Sequence, residues 1–142
     1  MKVRVQKLHE DAKLPEYAHG EEDAAIDLCT TEAGVIPAGQ ARGFGTGLAF
    51  EIPLGHVGLV WDRSGLAFKH GITILGGMID PGYRGEIKVM LLNTSGEDYT
   101  VEKGERIAQF LIFQSGHVEI EEAAELSATA RGEGGFGSTG RS

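Results

Sequence analysis

The chain has 142 residues, 41% of them hydrophobic, with a formal net charge of −8 and one cysteine, Cys29. This suits a single domain with one core, and the acidic balance argues against nonspecific nucleic-acid binding, which needs a basic surface to displace counterions from phosphate. A lone cysteine excludes an internal disulfide, the absence of CxxC and HExxH removes the usual zinc signatures, and no apolar run reaches the roughly eighteen residues of a membrane span.

The opening MKVRVQKLHE lacks the apolar centre of a signal peptide, which predicts a cytoplasmic protein. Glycine is in excess at 22 residues, against a usual share of about 7%. With only 4 prolines and no long repeat, this points to many tight turns. Apolar and polar residues alternate over Lys2–Leu8, Leu48–Ile52, His56–Trp61, Glu86–Leu92, Arg106–Phe113 and His117–Glu121. Turn clusters such as Pro37-Ala38-Gly39, Pro53-Leu54-Gly55, Ser95-Gly96-Glu97 and Lys103-Gly104-Glu105 separate them. Short strands at this rhythm predict an all-β sandwich or barrel of the jelly-roll kind.

After the first strand, the polar stretch Pro15–Asp23 reads as a surface loop. Asp27 follows inside the strand-like run AAIDLCT. Turned inward, its carboxylate needs a metal, a water or an arginine beside it; strand alternation alone would point it outward. The stretch WDRSGLAFKHG predicts the one short helix, with Ser64 as N-cap and Gly71 as closure. Free N–H groups in its first turn, beside Arg63 and the Ser64 hydroxyl, would suit a phosphate, although a capped surface helix with a solvated arginine has the same pattern.

The stretch ILGGMIDPGYRGEI, from Ile74 to Ile87, is the best place for chemistry. Gly76 and Gly77 permit close approach to a backbone whose N–H and C=O groups can read a planar base. Asp80 precedes a Pro81-Gly82 turn, and Tyr83 puts an aromatic plate within its reach. An ordinary hairpin whose Asp80 starts the turn would read the same way. In GERIAQF, Arg106 and Gln109 are three residues apart and face opposite sides of a flat strand, so a twist or bulge is needed for both to meet one ligand. Residues Ala123–Ala130 are rich in alanine and glutamate and offer a helical turn.

The last stretch, RGEGGFGSTGRS, has too little apolar surface to fold alone and reads as a flexible tail. Its GxGxxG at Gly132, Gly134 and Gly137 lacks the preceding strand and following helix of a dinucleotide site. Its glycine N–H groups, the Ser138 and Thr139 hydroxyls, Arg131 and Phe136 nevertheless make a set suited to phosphate and to stacking on a base.

The segments AAIDL, RSGLA, GMIDPGYRGE, GERIAQ and RGEGGFGSTG stand in the order and approximate spacing of the five motifs of the trimeric dUTP pyrophosphatases. The chain resembles that family nearly end to end. The resemblance implies a jelly-roll-like distorted barrel of the β-clip type over residues 1–126. Residues 127–142 would then be a glycine-rich arm that closes the active site of a neighbouring subunit in a homotrimer. It implies a hydrolase that converts dUTP to dUMP and pyrophosphate with Mg²⁺, keeping uracil out of DNA and supplying dUMP for dTTP synthesis.

By the same resemblance, Asp80 is the general base for a water attacking the α-phosphorus. Tyr83 packs on the deoxyribose and rejects a 2′-hydroxyl. Main-chain groups from Gly77 through Ile79 to Asp80 read uracil, and Phe136 covers it. Arg63, Ser64, Gly65, Gln109, Arg131, Gly137, Ser138 and Thr139 hold the triphosphate, Asp27 acts on Mg²⁺ through a coordinated water, and Arg106 supports the site. The chain departs from the usual pattern at Ala25, commonly glycine, and at Asp62, commonly proline, which adds negative charge near the phosphate clamp. A dUTP-binding regulatory trimer is the alternative from another class. The related dCTP deaminases share the fold and an IDPG turn but place a catalytic glutamate where this chain has Met90.

Overall fold

The computed structural model describes residues 1–135. Eleven strands and one helix follow in order: β1 (Arg4–Lys7), β2 (Ile26–Cys29), β3 (Gly34–Ile36), β4 (Ala41–Gly45), β5 (Leu48–Glu51), β6 (His56–Trp61), α1 (Ser64–His70), β7 (Ile72–Leu75), β8 (Met78–Ile79), β9 (Lys88–Asn93), β10 (Tyr99–Val101) and β11 (Arg106–Gln114). The architecture is all-β with one short helix, as alternation predicts. A four-stranded sheet in the order β2-β11-β6-β8 faces a three-stranded sheet β4-β9-β7, with the pairs β1-β5 and β3-β10 at the flanks. Every pairing is antiparallel, and among the described residues the sheets stay separate rather than closing into one barrel.

Alternate residues of these strands point into one core. Leu28, Ile36, Phe44, Leu48, Ile52, Ile72, Ile87, Leu91 and Phe110 are buried there. The Phe50 and Phe110 rings meet tilted, with centroids 4.9 Å apart. A Cβ on Gly58 would lie 2.6 Å from Phe110 Cζ, so β6 passes this ring only because it carries glycine there. Polar groups drawn into the interior are satisfied: Asn93 donates to the Ile36 and Glu97 carbonyls, and Thr46 donates its hydroxyl to the Ile87 carbonyl at 2.7 Å. No described helix is long and apolar enough to cross a membrane.

Several elements differ from the sequence reading. The strand expected at His117–Glu121 does not form. Its alternating Val118 and Ile120 are 70% and 87% exposed, because alternation makes a strand only beside a partner, and none runs alongside among the described residues. The helical turn expected over Ala123–Ala130 is absent too, as a short segment with no packed face cannot sustain a helix. The predicted loop at Pro15–Asp23 holds a short 3₁₀ turn at Gly20–Glu22. Helix α1 starts one residue earlier than expected: the Arg63 carbonyl accepts from Ala67 N–H at 3.0 Å, so Arg63 is the cap residue and Ser64 is already helical. Gly71 closes the helix as predicted, in the left-handed conformation with φ 65°.

Candidate active site

Asp27 lies on β2 between Ile26 and Leu28, two residues that turn toward the core. Alternation therefore points it to the outer face of the four-stranded sheet. It is nevertheless only 14% exposed there, because two arginines cover it. Arg63 Nε donates to Oδ1 at 3.2 Å, and Arg106 Nε lies 3.5 Å from Oδ2. Arg63 Nη1 also donates to the Arg106 carbonyl at 3.1 Å, tying the start of α1 to the start of β11. The outward direction and the need for a partner both hold, and the partner is arginine.

The bulge that the spacing of Arg106 and Gln109 required is present. The β11–β2 register runs Arg106 opposite Cys29, then skips to Ala108 opposite Leu28 and Gln109 opposite Asp27. Ile107 and Ala108 are consequently both buried, whereas a regular strand would alternate. Arg106 and Gln109 thus meet the same carboxylate side of the sheet. Across the next ladder Gln109 is opposite Trp61, so Asp27, Gln109 and Trp61 form one row on the outer face. Nothing in the spacing of HVGLVW marks Trp61 as a neighbour of Asp27; its place emerges once that strand is paired with β11. A groove of about 1130 Å³, lined among others by Lys7, Lys13, Glu16, Arg63 and Arg106, opens beside Asp27.

The double glycine does more than relax a turn. Strand β7 pairs with β9, and β8 pairs with β6. The two strands flanking Gly76-Gly77 therefore belong to different sheets, and β8 and β9, on either side of Asp80-Pro81-Gly82, do not pair as an ordinary hairpin either. Gly76 and Gly77 have φ of 75° and 102°, and a Cβ on Gly77 would sit 2.6 Å from the Val60 carbonyl oxygen. Only glycine makes this crossing without strain. Val60 N–H donates to the Gly77 carbonyl at 2.8 Å, which fixes the turn against β6.

Beyond Ile79, Asp80 is exposed, and its backbone carbonyl accepts from Tyr83 N–H at 3.1 Å to close the Pro81-Gly82 turn. Its carboxylate has no hydrogen-bond partner among the described residues and faces solvent. Tyr83 folds back so that its hydroxyl donates to the Glu86 carbonyl at 3.0 Å, while its ring stays 45% exposed. Glu86 accepts from Gly47 N–H at 2.9 Å, which anchors the far end of this loop. The expected strand from Glu86 therefore starts two residues later, at Lys88.

Within one chain the candidate residues form two groups. Ile79 is opposite Gly58 on β6, and Gln109 is opposite Trp61. Three residues along β6 and two strand spacings across separate them, roughly 10 Å in each direction. Asp80 and Tyr83 are at one end of the sheet, and Asp27, Arg63, Ser64, Gly65, Arg106 and Gln109 are at the other. Ser64 and Gly65 are exposed at the start of α1. Arg131 is exposed and donates from Nε to the Gly134 carbonyl at 2.7 Å; Phe136, Gly137, Ser138 and Thr139 lie outside the described residues.

Among the described residues, no three His, Cys, Asp or Glu side chains converge to cage an ion. Asp27 offers one carboxylate already shared by two arginines. With one such carboxylate, a cation could be held here only if it kept most of its waters and took its other ligands from phosphate, as Mg²⁺ does.

A family model described as dUTPase matches residues 10–140. The deoxyuridine 5'-triphosphate nucleotidohydrolase of Nautilia profundicola is 50% identical over 143 residues, covering 99% of this chain and 100% of the relative. The dUTPase of Staphylococcus bacteriophage 80alpha, solved with dUPNHPP, superposes with a TM-score of 0.92 at 31% identity over 99% of each chain. A mutant dUTPase of phage phi11 of S. aureus, described with a structural Mg(II) ion, gives a TM-score of 0.82 at 27% identity over 88% of this chain and 98% of its own.

Proposed function

The chain belongs to the dUTPase family and hydrolyses dUTP to dUMP and pyrophosphate, and from that premise we propose how its residues divide the reaction. Hydrolysis of a phosphoanhydride needs a water held in line with the α-phosphorus, a base to take its proton, and positive charge to meet the negative charge that builds on the leaving pyrophosphate. No covalent nucleophile is required. Asp80 is the base: its carboxylate is exposed and unshared, next to a turn whose backbone can be approached closely. The main chain from Gly77 through Ile79 to Asp80 reads uracil. The Tyr83 ring packs on the deoxyribose, so a 2′-hydroxyl finds no room.

Arg63, Ser64, Gly65 and Gln109 hold the triphosphate, joined by Arg131 and by Gly137, Ser138 and Thr139 of the arm, with Phe136 over the base. Asp27 orients Arg63 and Arg106 directly. It would also hold Mg²⁺ through a coordinated water, the ion's chemistry there being neutralisation of phosphate charge.

The observation that carries this reading is the separation of Asp80 from the phosphate clamp within one chain. A single subunit has both halves of a site but not together, which supports a homotrimer with each site assembled from neighbouring subunits. The face between the two halves supports it too. Trp61, Met78 and Phe113 project from the outer face of the four-stranded sheet at 58%, 71% and 46% exposure, with Leu59 and Leu111 between them. A continuous apolar face of this kind suits burial against another subunit. Residues 127–142 then serve as the arm. The exposed Val118, Ile120 and Leu126 of the preceding segment are consistent with a chain that leaves its own sheets to pack elsewhere. The enzyme acts in the cytoplasm and binds no nucleic acid directly.

The test is release of dUMP and pyrophosphate from dUTP with Mg²⁺, beside dCTP, dTTP and UTP, with ammonia assayed in the dCTP reaction. Turnover confined to dUTP supports the assignment. Ammonia from dCTP would move the chain to the deaminase branch, and binding of dUTP without turnover would make it a regulatory trimer.

A further inference from the structure

The segment that carries Arg63 and Ser64 leaves the four-stranded sheet at Trp61 and re-enters the other sheet at Ile72. Two connections span the base of this excursion. One is the bond from Val60 N–H to the Gly77 carbonyl. The other is made by Asp62, whose Oδ2 accepts from the Thr73 hydroxyl at 2.8 Å and whose Oδ1 accepts from Ile74 N–H at 2.7 Å. Asp62 is half-buried, and each of its oxygens has a donor on β7.

Strand β7 is the fixed side of that clasp, because all four of its residues pair with β9, from Ile72 opposite Asn93 to Leu75 opposite Met90. The side being held is the turn at Asp62, with Arg63 next in sequence. Elsewhere the helix is tied by Leu66 in the core and by the Gly71 carbonyl, which accepts both the N–H and the hydroxyl of Thr94. Its N-terminal end has no side-chain cap. Asp62 bonds none of the helix N–H groups; it holds the turn that leads into the helix, and both of its carboxylate oxygens are engaged by β7.

We infer that Asp62 is a positioning residue for the triphosphate: by bridging Thr73 and Ile74 it sets the backbone from which Arg63 and Ser64 reach the phosphates. This rests on the reading that those two residues hold the triphosphate. The chemistry that matters is the pair of hydrogen bonds and not the charge. An asparagine can keep both, accepting from Ile74 N–H through its carbonyl and donating from its amide to the Thr73 hydroxyl. An alanine keeps neither.

The experiment compares binding of a nonhydrolysable dUTP analogue with binding of dUMP, in Mg²⁺, for the wild type and for Asp62→Ala, Asp62→Asn, Thr73→Val and Ser64→Ala. Asp62→Ala is expected to weaken the analogue by about tenfold while dUMP changes little, since misplacing a positioning group by about an ångström has effects of this order or larger. Thr73→Val should show a smaller loss of the same kind, and Asp62→Asn should return the analogue to within about threefold of wild type, because both bonds survive. Equal weakening of dUMP and the analogue in Asp62→Ala would mean a general structural role and overturn the inference. So would tighter analogue binding in Asp62→Asn, which would mean that the charge opposes the phosphates. Analogue affinity unchanged in Ser64→Ala would fault the clamp itself, and the inference with it.

Discussion

Gln109 stands directly opposite Asp27 across β11 and β2, and the bulge just before it turns Arg106 onto the same carboxylate. A strand without that extra residue would send one of the two to the core. Arg63 arrives from the start of α1, so three segments distant in sequence are fixed to each other through one aspartate. The arrangement orients two guanidinium groups on the face proposed to take the phosphates, in a chain whose net charge of −8 would otherwise repel a triphosphate.

Replacing Asp27 by asparagine should damage both stability and binding. The amide presents an N–H₂ to one of the two arginines, leaving the half-buried Arg63 or the exposed Arg106 facing a donor. Loss of a hydrogen bond to a charged group costs about 1.5–3 kcal/mol, to be read as a lower urea midpoint with unchanged slope. The KM for dUTP should rise together with the Mg²⁺ concentration needed for half-maximal rate. Wild-type kinetics in Asp27→Asn would show that the arginines need no orienting partner.

Gly85 controls Tyr83 through packing. An alanine Cβ at Gly85 would lie 2.6 Å from Tyr83 Cζ, so the ring must move off the position in which its hydroxyl meets the Glu86 carbonyl. If Tyr83 is the sugar gate, Gly85→Ala should admit UTP, cutting the dUTP-over-UTP ratio of kcat/KM by about tenfold, the scale of one lost packing contact. A parallel Tyr83→Ala enzyme sets the floor for that ratio. Retained discrimination in both variants would place the gate elsewhere.

The parts legible in the sequence were those with local periodicity. Strands β1, β5, β6, β9 and β11 alternate in sequence, and Gly71 marks the end of α1. By contrast, ARGFG carries an arginine and two glycines and pairs as β4 only because β9 lies beside it, while β8 has two residues, too few to show a period. The failure at His117–Glu121 is the converse, a period without a partner. In the proposed site, Asp80, Tyr83 and Arg63 stand out by motif. The Asp27–Arg63 and Asp62–Thr73 bonds do not, since bonds 36 and 11 residues apart leave no spacing signal.

Alkaline pH should expose the Tyr99–Glu105 pair. Burial first, and then the bond from its hydroxyl to Glu105 Oε1 at 2.8 Å, push the Tyr99 phenol up to about 12 from 10.0. A raised folded-state value means that the native protein keeps a proton the unfolded chain gives up. The contribution is therefore complete below pH 10 and is lost as pH rises toward 12. Urea midpoints measured across that window should fall with pH in the wild type, and less steeply in Tyr99→Phe. Identical slopes would mean that Tyr99 is not the group responsible.

The separation of Asp80 from Arg63 within one chain makes a sharper prediction about assembly. Asp80→Asn should lose about 10²–10⁴-fold in turnover, as removal of a general base does, while still binding the dUTP analogue. Arg63→Ala should bind poorly and turn over slowly. If each site takes its base from one subunit and its clamp from the next, co-refolding equal amounts of the two chains creates sites in which both residues are wild type. Random assembly gives about one such site in four, so the mixture should recover near a quarter of wild-type activity from two inactive parents. If both groups came from a single chain, no mixed site could contain both, and the mixture would stay as inactive as its components.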